Sequence, residues 1–473
     1  MNLMRPTSYL IPLAATALLS ACTLGPEYAG PPDVAPHAAQ NGHFLRGGDA
    51  VQTAATQRNN WWEGLSDPLL NELVQRALAA NPNLNIAKAR LQQSRAALNL
   101  EQANAMPSAS GSALYAHAKL PSLSGSGSST TTNLYNLGFD ASWEADIFGA
   151  NKRSIQAARA TSEAAEASLA DVQVSLAAEV ANAYISLRDR QQRIALGDQS
   201  IAAQEQMITL ARQRLERGTA SNLDILRLQN QLEGTRADLT PLRADMESYL
   251  NQLATLVGEE PGALDDKLSA ATPLPLPPAA VAVGDPTELL RHRPDIRAAE
   301  RTLAADTAKI GQAEAARYPS LKLFGVIGLG GTHASDLTKL DDFATILAPM
   351  LSWNFLDFGR NAARVTQAEE VRNEAEMKYR QTVLEALRDA EDSLSRFRNG
   401  RITVATLARN KVSADQALDL AQQRYRAGTT TLVDVLDTTR QQLSAQQNLL
   451  QAEANLTRNF VAIQKALGLG WNS

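Results

Sequence analysis

Gln213-Arg-Leu-Glu-Arg-Gly-Thr-Ala-Ser-Asn-Leu-Asp224 returns 210 residues later as Gln423-Arg-Tyr-Arg-Ala-Gly-Thr-Thr-Thr-Leu-Val-Asp434. Trp143, Phe148 and Gly149 recur at the same offset as Trp353, Phe358 and Gly359, and Gly258 recurs as Gly468. Upstream, Pro82, Leu91 and Pro107–Ser108 recur as Pro294, Leu303 and Pro319–Ser320, offset by 212. A period near 200 residues lies far above the ~20–50 residues of solenoid arrays. The chain therefore reads as two similar halves of one body.

The quoted stretch sits at the end of a long helix in each half. No proline occurs from Asn151 to Arg217 or from Asn361 to Ala427. Leu169, Val172, Leu176, Val180, Ala183 and Leu187 recur at helical spacings of three and four. At 1.5 Å per residue, such a stretch gives roughly 100 Å of helix. A globular domain has no room for that, so these helices must pack lengthwise as a coiled coil or tube. Ala157, Ala158, Ala160, Ala164, Ala165 and Ala167 let neighbours approach closely. Gly218 and Gly428 suit the left-handed position just past a helix end. Ser221-x-x-Asp224 and Thr431-x-x-Asp434 then restart return helices with capping-box patterns. These run to about Val257 and Leu467, with Pro241 a kink in the first.

Each half also carries two strand candidates, at about 108–120 and 133–145, then 320–330 and 343–355. The second is the clearest. Tyr135, Leu137, Phe139, Ala141 and Trp143 alternate with Asn136, Gly138, Asp140, Ser142 and Glu144, the pattern of an outer-membrane barrel strand. Leu321, Leu323, Ile327 and Leu329 share one face of the third, and Phe343, Leu347, Leu351, Trp353 and Phe355 one face of the fourth. The first is polar and weak, and a soluble sandwich strand alternates in the same way. The expected organisation is a signal segment (1–21), an extended tether (22–60), a first repeat (61–258), a proline-rich crossover (259–284) and a second repeat (285–473).

Of the 473 residues 44% are hydrophobic but only 5% aromatic, and Ala, Leu, Gln, Arg and Glu dominate long stretches, a helix-forming composition. The net charge of −5 becomes −6 without residues 1–21, whose only charge is Arg5, so no basic balance points to nucleic acid. Arg5, the apolar run Tyr9 to Leu19, and Leu19-Ser-Ala-Cys22 form a secretory signal that resembles a bacterial lipobox. Cys22, the single cysteine, is then the acylated first residue of the mature protein. Thr23 stands where an aspartate would favour inner-membrane retention, so the outer membrane is expected. No later run of 18 or more apolar residues exists, so any crossing of a bilayer must use strands.

Four strands cannot close a barrel, and single-chain membrane barrels start at about eight. Three copies would supply twelve strands and twelve long helices, and two copies would supply eight strands. The fold class is thus mainly helical with membrane β-structure, as a trimer forming a twelve-stranded barrel continued by an α-helical tunnel. No enzyme, metal or cofactor is expected. His37, His43, His117, His292 and His333 lack ligand spacing, and no phosphate loop, serine elbow or cysteine nucleophile is present. A lipid-anchored coiled-coil scaffold or adaptor explains the helices and Cys22, but not the duplicated strand pairs.

Cys22-Thr-Leu-Gly-Pro-Glu-Tyr28, Trp62 with Asp67-Pro-Leu69, Leu290-Arg-His-Arg-Pro-Asp-Ile296, and Arg424-Tyr-Arg-Ala-Gly428 followed by Val433-Asp-Val-Leu-Asp437 stand in this order along the chain. In these segments the chain resembles the outer-membrane efflux ducts of the TolC/OprM type, most closely their NodT-like lipoprotein branch. The resemblance implies a homotrimeric duct through the outer-membrane lipid. It also implies a periplasmic membrane-fusion adaptor and an inner-membrane pump, often of the RND type, as partners. Small-molecule efflux is the expected task, with type I protein secretion the alternative. It implies a periplasmic gate with carboxylate rings at Asp434 and Asp437, helped by Tyr425. Where some members carry an arginine two residues after the glycine, this chain has Thr430, and Arg227, at the repeat-related position of Asp437, is the expected charge partner. Asp434 equally reads as a plain cap, as Asp224 does, and Asp437 as a solvated charge. Arg214, Gly218, Thr219, Arg424, Gly428 and Thr429 are the candidate adaptor contacts; ordinary hairpin chemistry explains the glycines without the arginines.

Overall fold

The structure, a computed structural model, describes residues 23–48, 51–52, 59–121, 129–338, 341 and 343–471. Cys22, the signal segment and parts of both strand-connecting loops lie outside the described residues. Seven helices and four strands carry the architecture. In chain order they are α1 (Pro68–Ala80), α2 (Pro82–Asn104), β1 (Ser108–Pro121), β2 (Ser129–Ala145), α3 (Ala150–Glu216) and α4 (Asn222–Leu256), then α5 (Pro294–Ala315), β3 (Ser320–Gly331), β4 (Phe343–Ser352), α6 (Arg360–Arg426) and α7 (Leu432–Ala466). The duplication is exact in length where the helices are longest: α3 and α6 each have 67 residues, α4 and α7 each 35. Pro241 lies inside α4, which continues through it. Among the described residues, no helix is long and apolar enough to cross a membrane. Residues 22–60 are not uniformly extended, since Pro36–Asn41 is helical with proline at its first turn and Gly42 in the left-handed conformation after it.

The chain divides into two compact units. One holds Met1–Pro32, Arg90–Glu166 and Ala298–Arg380; the other holds Asp33–Ala89, Ala167–Arg297 and Gln381–Ser473.

The first unit contains the four-stranded antiparallel sheet, in the order β1-β2-β3-β4. Every pairing joins residues of like parity: Phe139 faces Gly111 and Ile327, and Leu351 faces Leu321. Because side chains alternate along a strand, all odd-numbered residues share one face. That face carries Tyr115, Leu137, Phe139, Trp143, Ile327, Phe343, Leu347 and Leu351, all exposed. The other face carries Asp140, the Glu144–Lys322 ion pair at 3.4 Å and the serine hydroxyl pairs Ser108–Ser142 and Ser320–Ser352. It is not purely polar, because Phe324, Ile346 and Met350 lie on it as well. The outer edges of β1 and β4 have no partner strand among the described residues.

The N-terminal strap is seated in the same unit. The Arg153 side chain is 2% exposed. Its Nε donates to Leu24 O and its Nη2 to Gly25 O, both at 2.9 Å, and Glu27 lies 3.1 Å from Nη2. A Cβ on Gly25 would stand 2.3 Å from the Gly311 Cα, so the strap crosses α5 only through two glycines. Tyr28 then donates to Glu300 at 3.2 Å.

The second unit holds the aromatic core. Trp61 packs edge-on against Trp62 and Phe460, with centroids 5.7 and 6.1 Å apart. Leu70, Leu73, Val74, Val180, Ile185, Leu187 and Leu253 of the same unit are fully buried, each contributing about 1.5–3 kcal/mol relative to exposure. Asp67 caps α1 through the Leu69 and Leu70 amides and accepts the Tyr184 hydroxyl at 2.7 Å. Arg293, from the basic stretch before α5, donates to the carbonyls of Ala386 and Ala466 at 3.3 and 2.8 Å. The latter carbonyl is the last residue of α7, where helical carbonyls lack intrahelical partners.

Candidate functional site

The two turns at Gly218 and Gly428 have the same internal chemistry. In the first, Thr219 N–H reaches Arg214 O and Gly218 N–H reaches Leu215 O, both at 2.8 Å; the second repeats this from Thr429 to Arg424 at 2.9 Å and Gly428 to Tyr425 at 3.1 Å. This pair of bonds is a Schellman closure, and it needs a left-handed residue: Gly218 has φ 76° and Gly428 φ 74°. The Thr219 and Thr429 hydroxyls both donate back, to Arg214 O and Arg424 O, at 3.1 Å. A Cβ on either glycine would meet nothing within 4 Å. The glycines therefore serve the backbone of the turn, and their outer side is open.

Both return helices start with complete capping boxes. Ser221 Oγ accepts Asp224 N–H at 3.2 Å while the Ser221 amide donates to Asp224 Oδ2 at 3.1 Å. Thr431 and Asp434 exchange the same bonds at 3.3 and 3.1 Å. The second box is richer, because the Thr430 and Thr431 hydroxyls both donate to Asp434 Oδ2 at 2.7 Å. These bonds, with Thr431 foremost, hold the Asp434 carboxyl below its ordinary pKa. Asp434 is thus an ionised, exposed carboxylate whose orientation is fixed by its helix start.

The two turns are joined by a small apolar cluster. Ile208 and Ala211 of α3, Leu228 and Leu232 of α4, and Leu432 and Leu436 of α7 are buried together, with Tyr425 packed against them. Across it, the Arg214 guanidinium carbon lies 4.7 Å from the centre of the Tyr425 ring, a cation–π distance. A residue expected at the docking surface thus touches a residue expected at the gate. Arg424 is exposed, and its charge is among the influences that hold the Asp434 carboxyl down.

Asp437 and Arg227 do not meet within one chain. Arg440 Nη2 donates to Asp437 Oδ1 and Gln441 Nε2 to Oδ2, each at 2.7 Å. Arg227 is exposed, with no ion pair among the described residues. The physical reason is local, since positions three and four along the same helix are the nearest neighbours of Asp437. That spacing is visible in the sequence, as is Thr430, whose hydroxyl turns toward Asp434 rather than leaving a gap.

A family model described as "Outer membrane efflux protein" matches residues 73–259 and 286–469, one match per repeat. Nodulation protein T of Rhizobium leguminosarum bv. trifolii is 28% identical over 471 residues, covering 99% of this chain and 98% of that protein. The antibiotic efflux pump outer membrane protein ArpC of Pseudomonas putida is 30% identical over 475 residues, covering 98% and 96%. Among solved structures, the outer-membrane channel OprN superposes with a TM-score of 0.89 at 35% identity, covering 95% of this chain and all of that one. The open-state MtrE channel of Neisseria gonorrhoeae gives 0.82 at 27% identity, covering 95% and 98%. With the duplication, the long paired helices and the apolar-faced sheet all accounted for over nearly its whole length, this chain belongs to the outer membrane efflux protein family.

Proposed function

We propose that the chain is the outer-membrane exit duct of a tripartite efflux pump, acting as a homotrimer with a periplasmic membrane-fusion adaptor and an inner-membrane pump of the RND type. The observation that carries this reading is the sheet. It leaves an apolar face exposed and two edges open, a combination soluble proteins avoid because it invites aggregation. In a bilayer the same face is solvated by lipid, and three sheets joined edge to edge complete a twelve-stranded barrel. The helices then form the periplasmic tunnel, and Cys22, one residue before the strap held by Arg153, carries the lipid anchor.

The duct conducts rather than catalyses. Its cargo is small molecules handed over by the pump, a reading supported by relatives named for antibiotic and toluene efflux. Gating falls to the turns. Threefold symmetry converts each Asp434 and Asp437 into a ring of carboxylates, which favours cations at a constriction. Tyr425 and Arg214 hold the two hairpins of one subunit together, and Arg227, which does not meet Asp437 within its own chain, is the charge partner proposed for Asp437 of a neighbouring copy. The open sides of Gly218, Thr219, Gly428 and Thr429, with Arg424, form the surface offered to the adaptor.

The test is single-channel conductance in planar bilayers, wild type beside Asp434→Ala/Asp437→Ala. Small, cation-selective wild-type currents that rise in the variant are expected. Equal currents would remove the gate assignment but keep the duct. Folded protein that never conducts would overturn the duct in favour of a lipid-anchored scaffold.

A further inference from the structure

The register of the sheet lets the two repeats be compared face by face. Applying offsets of 212 to β1 and 210 to β2 turns the pair Ser108↔Ser142 into Ser320↔Ser352, which is the register of β3 with β4. On the odd-numbered face the copies agree, since each exposes large apolar side chains. On the even-numbered face they differ. Phe324, Ile346 and Met350 stand where the first repeat has Ser112, Asn136 and Asp140, and they are 39%, 54% and 55% exposed. The first repeat's own apolar side chains there, Leu114 and Leu134, lie nearer its hairpin turn.

Charge is distributed as unevenly. The even face of the described strands carries three charged side chains, Asp140, Glu144 and Lys322. Glu144 and Lys322 neutralise each other at 3.4 Å. Asp140 is half-buried and has no side-chain hydrogen bond or ion pair among the described residues. It lies on the border between the repeats, in the register row Ser110–Asp140–Val326–Ile346. In the next row toward the helices Phe324 faces Ser142, so its ring is a diagonal neighbour of the carboxylate and within reach across the strands. The row on the other side is bare at this point. Gly138 faces Gly328, and a Cβ on either would stand 2.7 Å from a carbonyl oxygen of the opposite strand, so neither position carries a side chain that could cover Asp140.

We propose that Asp140, Phe324, Val326, Ile346 and Met350 form a contact site for cargo, and that the cargo it favours is an organic cation with an apolar body. The inference rests on the duct reading, in which the odd face meets lipid and the even face lines the pore, and it deepens that reading to a substrate class. Lipid accounts for the apolar side chains of the odd face. It does not reach the even face, where Phe324, Ile346 and Met350 stand against water unless a solute covers them. The uncompensated carboxylate beside them selects the sign of that solute. A small hydrated cation gains nothing from the aliphatic side chains, and an apolar anion is repelled by Asp140. A cation with an apolar body uses both, and the Phe324 ring adds a cation–π partner. Such a site suits conduction only if it is weak, so that cargo leaves as readily as it enters.

Single-channel recording in NaCl tests this with three probes: tetrabutylammonium, tetramethylammonium and toluenesulfonate. Tetrabutylammonium is expected to interrupt the wild-type current with longer dwell times than either of the others. Phe324→Ser and Ile346→Asn give the second repeat the side chains of the first, and each should shorten that dwell by about three- to tenfold. Asp140→Asn should shorten it as well and remove the advantage over toluenesulfonate. The interruptions should persist in Asp434→Ala/Asp437→Ala, which lacks the carboxylates of the turns. Equal dwell times in the wild type, Phe324→Ser and Ile346→Asn would overturn the site, as would interruptions that vanish with the turn carboxylates. A toluenesulfonate dwell as long as that of tetrabutylammonium would overturn the choice of a cation. Each of these results leaves a conducting duct. Folded protein that carries no NaCl current sinks the duct reading, and the site with it.

Discussion

Arg214 and Tyr425 belong to different repeats, yet the guanidinium carbon of one lies 4.7 Å from the ring centre of the other. Their own repeat equivalents are Arg424 and Leu215, so the contact breaks the symmetry between the hairpins and exists once per chain. A cation–π contact at an exposed site contributes about 0.5–1 kcal/mol. If it holds the hairpins closed, Tyr425→Leu should raise channel open probability by roughly two- to five-fold, and Tyr425→Phe, which keeps the ring, should not. Indistinguishable open probabilities in the wild type and Tyr425→Leu would remove the contact from the gate.

The capping box at Thr431 gives a prediction about the same turn. Losing a Thr cap costs about 0.5–2 kcal/mol of local helix stability. Thr431→Ala should therefore speed amide exchange in the first turn of α7, and Ser221→Ala should do the same in α4. In α7 there is also a pH dependence. The Asp434 pKa is depressed in the fold, so its stabilisation is present above the ordinary carboxylate range. It is lost only as pH falls through the depressed value. The protection factor at the turn, that is exchange relative to its intrinsic rate at each pH, should stay flat near neutrality and fall in acid, and Asp434→Asn should abolish that acid response.

Arg153 gives a prediction about the N-terminal strap. Hydrogen bonds from a charged donor contribute about 1.5–3 kcal/mol each, and Arg153 makes them to two consecutive carbonyls, Leu24 and Gly25. Arg153→Met should release the strap without unfolding the sheet. The expected signature is amide exchange at Leu24 accelerated at least about tenfold, with the exchange of β2 and β3 unchanged. Exchange at Leu24 as slow as in the wild type would show that the glycine crossing holds the strap alone.

Tyr184 is pushed up to about 12, chiefly by burial and then by its hydrogen bond to Asp67. The neutral phenol is the form the fold favours, so its contribution is complete below the ordinary tyrosine pKa. It disappears as pH rises through the raised value. Between about pH 10 and 12 the wild type should lose thermal stability faster than Tyr184→Phe. At neutral pH, Tyr184→Phe should cost about 1.5–3 kcal/mol, one hydrogen bond to a carboxylate. Parallel alkaline melting curves would contradict the assignment.

Legibility in the sequence followed side-chain contrast and distance along the chain. The long helices, their glycine stops and both capping boxes depend on residues a few positions apart, and the repeat displays each of them twice. β2 was readable because Leu137, Phe139 and Trp143 alternate with polar residues. β1 was faint because its matching face is Ala109, Gly111 and Ala113, small residues that leave the bulk to neighbouring strands. The Arg214–Tyr425 contact joins residues more than 200 positions apart, and Arg153 binds backbone carbonyls, which carry no sequence signature. For Asp437, the repeat drew the expectation to Arg227, while Arg440 and Gln441 stood three and four residues away.

Like parity across all three strand pairings also says where this gene tolerates length change. One residue gained or lost within a strand carries every later side chain of that strand to the opposite face. Insertions and deletions are therefore confined to the hairpin loops, and the record of divergence agrees. The offset between the copies is 212 at Pro107 and Pro319 but 210 by Trp143 and Trp353, while the registers of the two hairpins remain superimposable. The two-residue difference between the copies thus falls between the paired strands of a hairpin.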